Sequence, residues 1–105
     1  MPVEIVWSRL GREDLLDLYV AIGLESPAAA ERIYDRIEEK VGLLAAHPRL
    51  GVRRPDIRLS TRMLVAAPYL ILYETAPDTD DGPVSAVEIV RIVDGRRDLK
   101  GLLGG

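Results

Sequence analysis

Cysteine is absent from the chain, which excludes a disulfide framework, a cysteine-ligated metal and a thiol nucleophile. The absence is compatible with a reducing compartment such as the cytoplasm. Histidine is scarce as well, since His47 is the only one in the sequence. A standard zinc site without cysteine would need at least one more histidine. Nothing in the sequence places His47 in a catalytic triad. We therefore expect the protein to bind no metal and no cofactor. No sequence motif indicates an enzyme without further evidence.

A long hydrophobic run is also missing. No apolar stretch approaches the roughly 20 residues that a membrane-spanning helix needs. The first residues, MPVEIVW, lack the basic and apolar regions of a signal peptide. At 105 residues the sequence has the size of one domain, so we expect a single domain over residues 1–105 that is soluble and cytoplasmic.

An excess of positive charge is the third absence. The net charge is −3 and the pI is about 5.1, whereas a protein that grips a phosphate backbone is normally basic. We therefore expect no direct sequence-specific DNA binding. Two segments differ from this average, because residues 51–76 and residues 91–105 each carry 4 basic and 2 acidic side chains.

The first half of the sequence is typical of one strand followed by two helices. Val3, Ile5 and Trp7 alternate with other residues, as in a strand with one buried face. Ser8 is suited to cap a first helix, which we expect to end near Gly23. The apolar face of this helix comprises Leu15, Leu18, Tyr19 and Ile22.

A second helix is predicted to begin at Ser26-Pro27 and to end before Pro48. Its apolar face repeats in steps of three and four. That face comprises Ala30, Ile33, Ile37, Val41 and Leu44. Because residues 23–26 form a short linker, the two helices should pack as an antiparallel hairpin.

The second half is typical of three strands, over residues 58–65, 69–75 and 84–93, with an acidic loop over residues 77–83. The last strand should place four side chains on one side, namely Val87, Ile89, Arg91 and Val93. The predicted fold class is therefore α+β in the order β-α-α-β-β-β. The helical hairpin should pack on one face of a small, mainly antiparallel sheet, and the other face should be at least partly open to a partner.

Arginines are the candidate functional residues, since a guanidinium group binds carboxylates and phosphates in planar, bidentate geometry. One group lies at the second strand: Arg53, Arg54, Arg58 and Arg62. The other group ends the last strand: Arg91, Arg96 and Arg97. The Arg91 side chain either extends to the sheet edge, pairs with a carboxylate or faces a partner.

Five ordered segments resemble the RelE/ParE superfamily of bacterial type II toxin–antitoxin toxins, and the ParE branch more than the RelE branch. They are residues 47–51 (HPRLG), 54–58 (RPDIR), 69–73 (YLILY), 89–92 (IVRI) and 95–99 (GRRDL). The resemblance covers about residues 3–103. No single segment is specific to the superfamily, but the succession of all five at these spacings is. It implies the RelE/ParE toxin fold, with the same β-α-α-β-β-β order.

The superfamily has two activities. Resemblance to RelE implies a ribosome-dependent mRNA endonuclease, for which Arg54, Arg62 and Arg91 lie in comparable regions. However, residues 99–105 contain no tyrosine or histidine that could act as an acid, a base or a stacking group. Resemblance to ParE implies a non-enzymatic inhibitor of DNA gyrase, which is the activity we expect. The target contacts would then be Arg62, Arg91, Arg96, Arg97 and Asp98.

The resemblance also implies a ParD-like antitoxin whose flexible C-terminal segment folds as it binds. A helix in a groove or an added strand is a reasonable mode of contact. The candidate contacts are Leu15, Tyr19, Ile33, Ile37 and Leu44, each of which could instead belong to the core. A further alternative is an antitoxin-binding module that has lost its poisoning activity.

Overall fold

The computed structural model describes residues 3–97. It contains two helices and five strands in this range: β1 (Glu4–Trp7), α1 (Arg9–Glu25), α2 (Pro27–Leu43), β2 (Val52–Arg53), β3 (Arg62–Ala66), β4 (Tyr69–Ala76) and β5 (Ala86–Asp94). The α+β prediction is confirmed, with the two-residue β2 as an additional strand. The sequence pattern also predicts a short amphipathic tail over residues 96–103, most of which lies outside the described residues.

Helix α1 begins where the sequence predicts, because Ser8 caps it. The Ser8 Oγ accepts a hydrogen bond from the backbone N–H of Gly11 at 2.9 Å, which satisfies a donor that the helix itself leaves free. The same hydroxyl donates to the carbonyl of Val90 at 2.7 Å. One serine therefore caps α1 and also fixes its start against β5.

A single residue, Ser26, separates α1 from α2. Helix α1 continues past Gly23 to Glu25, so the prediction of an end near Gly23 and a four-residue linker is wrong. The backbone N–H of Ser26 donates to Ile22 O at 2.8 Å, and its Oγ accepts from Ala29 N at 3.2 Å. Ser26 thus ends one helix and caps the next, which makes the hairpin tight. In the described part of the chain no helix is long and apolar enough to cross a membrane.

The five strands form one mixed sheet in the order β1-β5-β4-β3-β2. Strand β1 pairs with β5 in parallel, and the other neighbours are antiparallel. The helices pack on one face, where the core joins α2 to the three long strands. The buried core residues on this face are Ile37, Val41, Leu44, Ala66, Ile71, Tyr73, Val87, Ile89 and Ile92.

A bulge in β5 changes which side chains face the helices. Leu72 pairs with Arg91 and Tyr73 with Ile89, so Val90 is an extra residue without a partner. After the bulge Ile92, rather than Arg91, continues the row in the helix-facing core. The prediction that Arg91 and Val93 share a face with Val87 and Ile89 is therefore wrong, since Val93 packs in a cluster on the other face of the sheet.

The second face of the sheet is only partly open. Ile57, from the segment between β2 and β3, packs there against Leu72 and Val93, and all three side chains are buried. Val65, on the same face, stays 47% exposed. This face is therefore partly open, as the sequence predicts, because Ile57 covers only part of it.

Candidate functional site

A cleft opens between α1 and α2 beside the end of β1, and we call it the helix cleft. Its volume is about 500 Å³. Aromatic rings form part of its wall, because Tyr19 and Tyr34 meet edge to face with their ring centroids 5.6 Å apart. The cleft is lined by Trp7, Arg12, Leu15, Leu16, Tyr19, Glu31, Tyr34 and Glu38.

Carboxylates of α2 hold the tyrosine hydroxyls of the helix cleft. The Tyr19 hydroxyl donates to Glu31 Oε1 at 2.5 Å, and the Tyr34 hydroxyl is hydrogen-bonded to Glu38. These hydrogen bonds to carboxylates raise the pKa of both tyrosines above the ordinary value of 10.0. The tyrosines therefore stay neutral at physiological pH, and the α2 side of the cleft carries negative charge.

An apolar stripe continues the helix cleft along the outer side of α1. Leu16, Val20 and Leu24 follow one another at intervals of four residues, which places them on one side of the helix. They are 61%, 51% and 83% exposed. Contiguous exposed apolar surface in a soluble protein marks an interaction site. The cleft and the stripe together suit an apolar segment of a partner.

The five residues expected to contact an antitoxin separate into two groups. Leu15 and Tyr19 line the helix cleft, whereas Ile37 and Leu44 are fully buried in the core. Ile33 is partly buried and packs against that core. Ile37 and Leu44 are therefore core residues, which was the alternative to an antitoxin contact.

Sequence reasoning missed Trp7, Leu16 and Tyr34, although each of them lines the helix cleft. The four-residue spacing of Leu16, Val20 and Leu24 was a usable signal for the exposed stripe. The position of Trp7 and Tyr34 depends on how the hairpin meets β1, which local spacing does not reveal.

A second cleft, the β5 cleft, lies on the other side of α1, where β5 extends beyond its pairing with β1. There Asp14 covers the free strand edge: its Oδ2 accepts from the backbone N–H of Ile92 at 3.0 Å. Arg91 donates to Asp14 Oδ2 and Oδ1 at 2.7 and 3.1 Å, and this bidentate contact raises the pKa of Arg91. Of the three positions predicted for the Arg91 side chain, the structure shows the one in which it pairs with a carboxylate.

The β5 cleft has a volume of about 410 Å³ and contains both Arg91 and Arg97. Helix α1 lines it with Asp14, Asp17, Leu18 and Ala21. The helix cleft instead takes Arg12, Leu15, Leu16 and Tyr19 from α1. Helix α1 is therefore the wall between the two clefts.

The predicted target contacts are only partly brought together. Arg91 and Arg97 line the β5 cleft, and Arg96 lies next to them, where it donates to Asp94 Oδ1 and Oδ2 at 2.9 and 2.7 Å. Arg62 lies on β3, separated from β5 by β4, and its side chain is buried. Asp98 lies outside the described residues.

The sequence matches the family model described as the ParE toxin of the type II toxin–antitoxin system parDE, over residues 5–99. The chain belongs to the ParE toxin family. A relative named Toxin ParE3, from Caulobacter vibrioides, is 37% identical over 70 residues. That alignment covers 67% of this chain and spans 63% of the relative's length.

A solved structure described as the chromosomal ParDE TA system from P. aeruginosa has the same fold, with a TM-score of 0.67. The two sequences are 23% identical, and the alignment covers 88% of this chain and 95% of the other. At that identity the likeness concerns the fold alone, and it agrees with two helices packed on a five-stranded mixed sheet.

In this ParE-family chain, the arginines that a RelE-like activity would assign to RNA are each paired with an aspartate. Arg54 donates to Asp56 at 2.9 and 2.7 Å, and Arg91 is bound by Asp14. The third arginine, Arg62, donates to Asp80 at 3.4 Å. Their charges are therefore neutralised within the chain, in agreement with its acidic pI.

Proposed function

We propose that this chain is a toxin that inhibits DNA gyrase without enzymatic activity of its own, and that a ParD-like antitoxin neutralises it by direct binding. The main support is the match to the ParE toxin family over residues 5–99, because that range includes every residue lining the two clefts. The relative named Toxin ParE3 and the structure described as a ParDE system agree with this proposal.

The antitoxin is proposed to bind at the helix cleft and the apolar stripe beside it. An amphipathic helix recognises a groove through apolar anchors spaced one turn apart, and Leu16, Val20 and Leu24 offer a row with the same spacing. Tyr19 and Tyr34 would supply rigid aromatic contact area, which carries much of the binding energy in many interfaces. Leu15 and Tyr19 remain in this proposal as contacts from the earlier set.

Gyrase is proposed to be contacted by the end of β5 and the residues that follow it. Arg97 is exposed and takes part in no ion pair within residues 3–97. It is therefore better placed than Arg91 to form a new contact, since Arg91 would first have to leave Asp14. Arg96 is exposed as well, but Asp94 already holds it. Asp98 follows directly in the sequence and stays in the proposal.

The rival function is a ribosome-dependent ribonuclease acting through Arg54, Arg62 and Arg91. The bidentate aspartate partners of Arg54 and Arg91 count against it, because a phosphate would have to displace two short hydrogen bonds at each arginine. Cleaved messenger RNA in a translation extract, with gyrase unaffected, would favour the ribonuclease.

The deciding experiment is a gyrase assay with the purified full chain and plasmid DNA. We expect supercoiling to be lost and linear, cleaved DNA to accumulate on the same gel, and we expect added antitoxin to prevent both effects. Unchanged gyrase activity across a wide excess of the chain would reject gyrase as the target. Family membership would stand in that case, and the translation extract would be the next measurement.

A further inference from the structure

Two guanidinium groups converge on one oxygen atom where β2 and β3 meet the acidic loop of residues 77–83. Arg53 on β2 and Arg62 on β3 both donate to Asp80 Oδ1, at 2.9 and 3.4 Å. Arg53 also donates to Asp78 Oδ1 at 3.0 Å. The loop carboxylates therefore occupy a position that suits the oxygens of a phosphate equally well.

The loop satisfies Arg62 incompletely. The Arg62 side chain is only 7% exposed, and its Nη1 donates to the carbonyl of Gly51 at 3.1 Å. Its Nε is buried and has no hydrogen-bond partner, which is unfavourable for a charged group. Within the described residues its one carboxylate partner is Asp80, whose side chain is 81% exposed. The buried guanidinium group of Arg62 is thus paired through one long contact with a solvent-exposed carboxylate.

The backbone of the acidic loop is held independently of these carboxylates. Arg49 donates hydrogen bonds to the carbonyl oxygens of Thr79, Asp81 and Gly82, at 2.9, 2.8 and 2.9 Å. Because Arg49 fixes the backbone, the side chains of Asp78 and Asp80 can turn away while the loop stays in place. Entry of an external anion then requires two side chains to move and no refolding.

We propose that Arg53 and Arg62, together with the exposed Arg58 from the segment between β2 and β3, form a binding site for the phosphodiester backbone of a nucleic acid. Asp78 and Asp80 are the competitor that occupies this site within the chain. Residues 49–62 contain five arginines and one acidic residue, Asp56. A row of positive charges suits the repeated phosphates of a nucleic acid better than the isolated carboxylate of a peptide.

This site is independent of the proposed action on gyrase, since it uses neither cleft. The binding it provides is directed at the backbone and does not depend on base sequence. While Asp78 and Asp80 occupy the site, they keep its affinity for nucleic acid low, in agreement with the net charge of −3.

The test measures binding of the full chain to a fluorescein-labelled single strand of about 20 nucleotides at about 50 mM salt, conditions under which backbone contacts are strong. DNA and RNA strands of the same sequence are compared by fluorescence anisotropy. We expect the Asp78→Asn/Asp80→Asn variant to bind at least about tenfold more tightly than the wild type, with a steeper dependence on salt. A gain with either strand supports the site, and the comparison of the two identifies the preferred nucleic acid.

The matched control is Glu25→Gln/Asp81→Asn, which also removes two negative charges, but from exposed side chains at other positions. The Asp81 carboxylate forms none of the contacts to the arginines, since only its backbone carbonyl accepts a hydrogen bond from Arg49. An equal gain in this control would overturn the proposal, because net charge alone would then explain the binding. No gain in the Asp78→Asn/Asp80→Asn variant would overturn it as well.

Two further variants keep the test decisive. Arg53→Gln added to the Asp78→Asn/Asp80→Asn variant should return the affinity to the wild-type value, and persistent tight binding would place the site elsewhere. Asp80→Asn alone changes one highly exposed side chain, so it serves if thermal melting shows that the double variant is unfolded. Its expected gain is smaller than that of the double variant but larger than that of Asp81→Asn.

Discussion

The carboxylate of Asp14 connects α1 to β5. It binds the guanidinium group of Arg91 in bidentate fashion and also accepts from the backbone of Ile92. It therefore closes the part of the β5 edge that β1 leaves unpaired. The side chains of Arg91 and Asp14 are 21% and 17% exposed, so the pair is shielded enough for its loss to matter.

We expect Asp14→Asn to lower the free energy of unfolding by about 1.5–3 kcal/mol, because Arg91 loses its carboxylate in a partly buried position. Urea denaturation followed by circular dichroism measures the change. Asp17→Asn is the matched control, since Asp17 is exposed on the same helix and should change stability by less than about 0.5 kcal/mol. Equal stability of the two variants would show that the Arg91 pair contributes nothing.

Asp94 gives a prediction about pH. Arg96 donates to its carboxylate from the side chain and from the backbone, which lowers the pKa of Asp94 from 3.8 to about 2. Because the folded pKa lies below the unfolded one, this contribution to stability is complete above about pH 4 and is lost as the pH falls toward 2. In Arg96→Gln the pKa of Asp94 should rise toward 3.8, as measured by NMR titration of the carboxyl carbon.

The control for this titration is Arg9→Gln, which removes a distant surface charge beside Glu13. The pKa of Asp94 should stay near 2 in that variant. If the Asp94 carboxyl also titrates near 2 in Arg96→Gln, the contact to Arg96 does not cause the shift.

At this scale the sequence could predict which residue types matter but not their partners. Arg91 stood out as a charge within an apolar strand, and pairing with a carboxylate was one of three alternatives. Its partner Asp14 lies 77 positions away, and no local pattern connects the two. The pairing of Arg53 and Arg62 with Asp80 was unpredictable for the same reason, because it depends on how the acidic loop crosses β2 and β3.

The first turn of helix α1 lies directly against the backbone of β5 at Gly11. A Cβ atom at Gly11 would lie 2.8 Å from the carbonyl oxygen of Ile89 and 3.2 Å from Ser8 Oγ. By its intrinsic helix propensity, a glycine at position 11 weakens the first turn of α1. The structure gives the compensating reason, since a glycine lets the helix start lie directly on the strand.

We therefore expect Gly11→Ala to destabilise the fold by about 1–3 kcal/mol through overpacking. In an open helix position the same change would stabilise the helix by up to about 1 kcal/mol. Gly42→Ala in α2 is the control, because a Cβ there meets nothing within 4 Å. Urea unfolding midpoints compare the two variants, and a Gly11→Ala protein as stable as the wild type would contradict the close packing.

Periodicity predicted the elements well where they are long, and failed where they are short or interrupted. The two helices and the strands β4 and β5 each span several repeats of their pattern. Strand β2 has two residues, too few for any alternation to be recognised. The bulge at Val90 interrupts the alternation in β5, so the predicted face of Arg91 was inverted. The glycine at position 23 predicts a helix end, but Ser26 provides the cap that decides the boundary.

Across the whole molecule, α1 separates two surfaces of different character. The helix cleft is aromatic and apolar with glutamates on its α2 side, whereas the β5 cleft is lined by Arg91, Arg97 and three aspartates. A protein that must act on a target and also be neutralised by a partner can use such an arrangement to keep the two contacts distinct. If the proposed assignment of the clefts is right, single substitutions should separate toxicity from neutralisation.

Leu16→Glu places a charge in the helix cleft, where an apolar partner segment would have to bury it. We expect this variant to stop growth like the wild type but to escape co-expressed antitoxin, with at least about a tenfold loss of affinity, or about 1.4 kcal/mol, by calorimetry. Arg97→Ala should do the reverse, losing toxicity while binding the antitoxin normally. Leu10→Glu, also on α1 but outside the cleft lining, is the control for the added charge. If Leu16→Glu and Arg97→Ala each lose both properties, antitoxin and target share one surface, and neutralisation is simple occlusion.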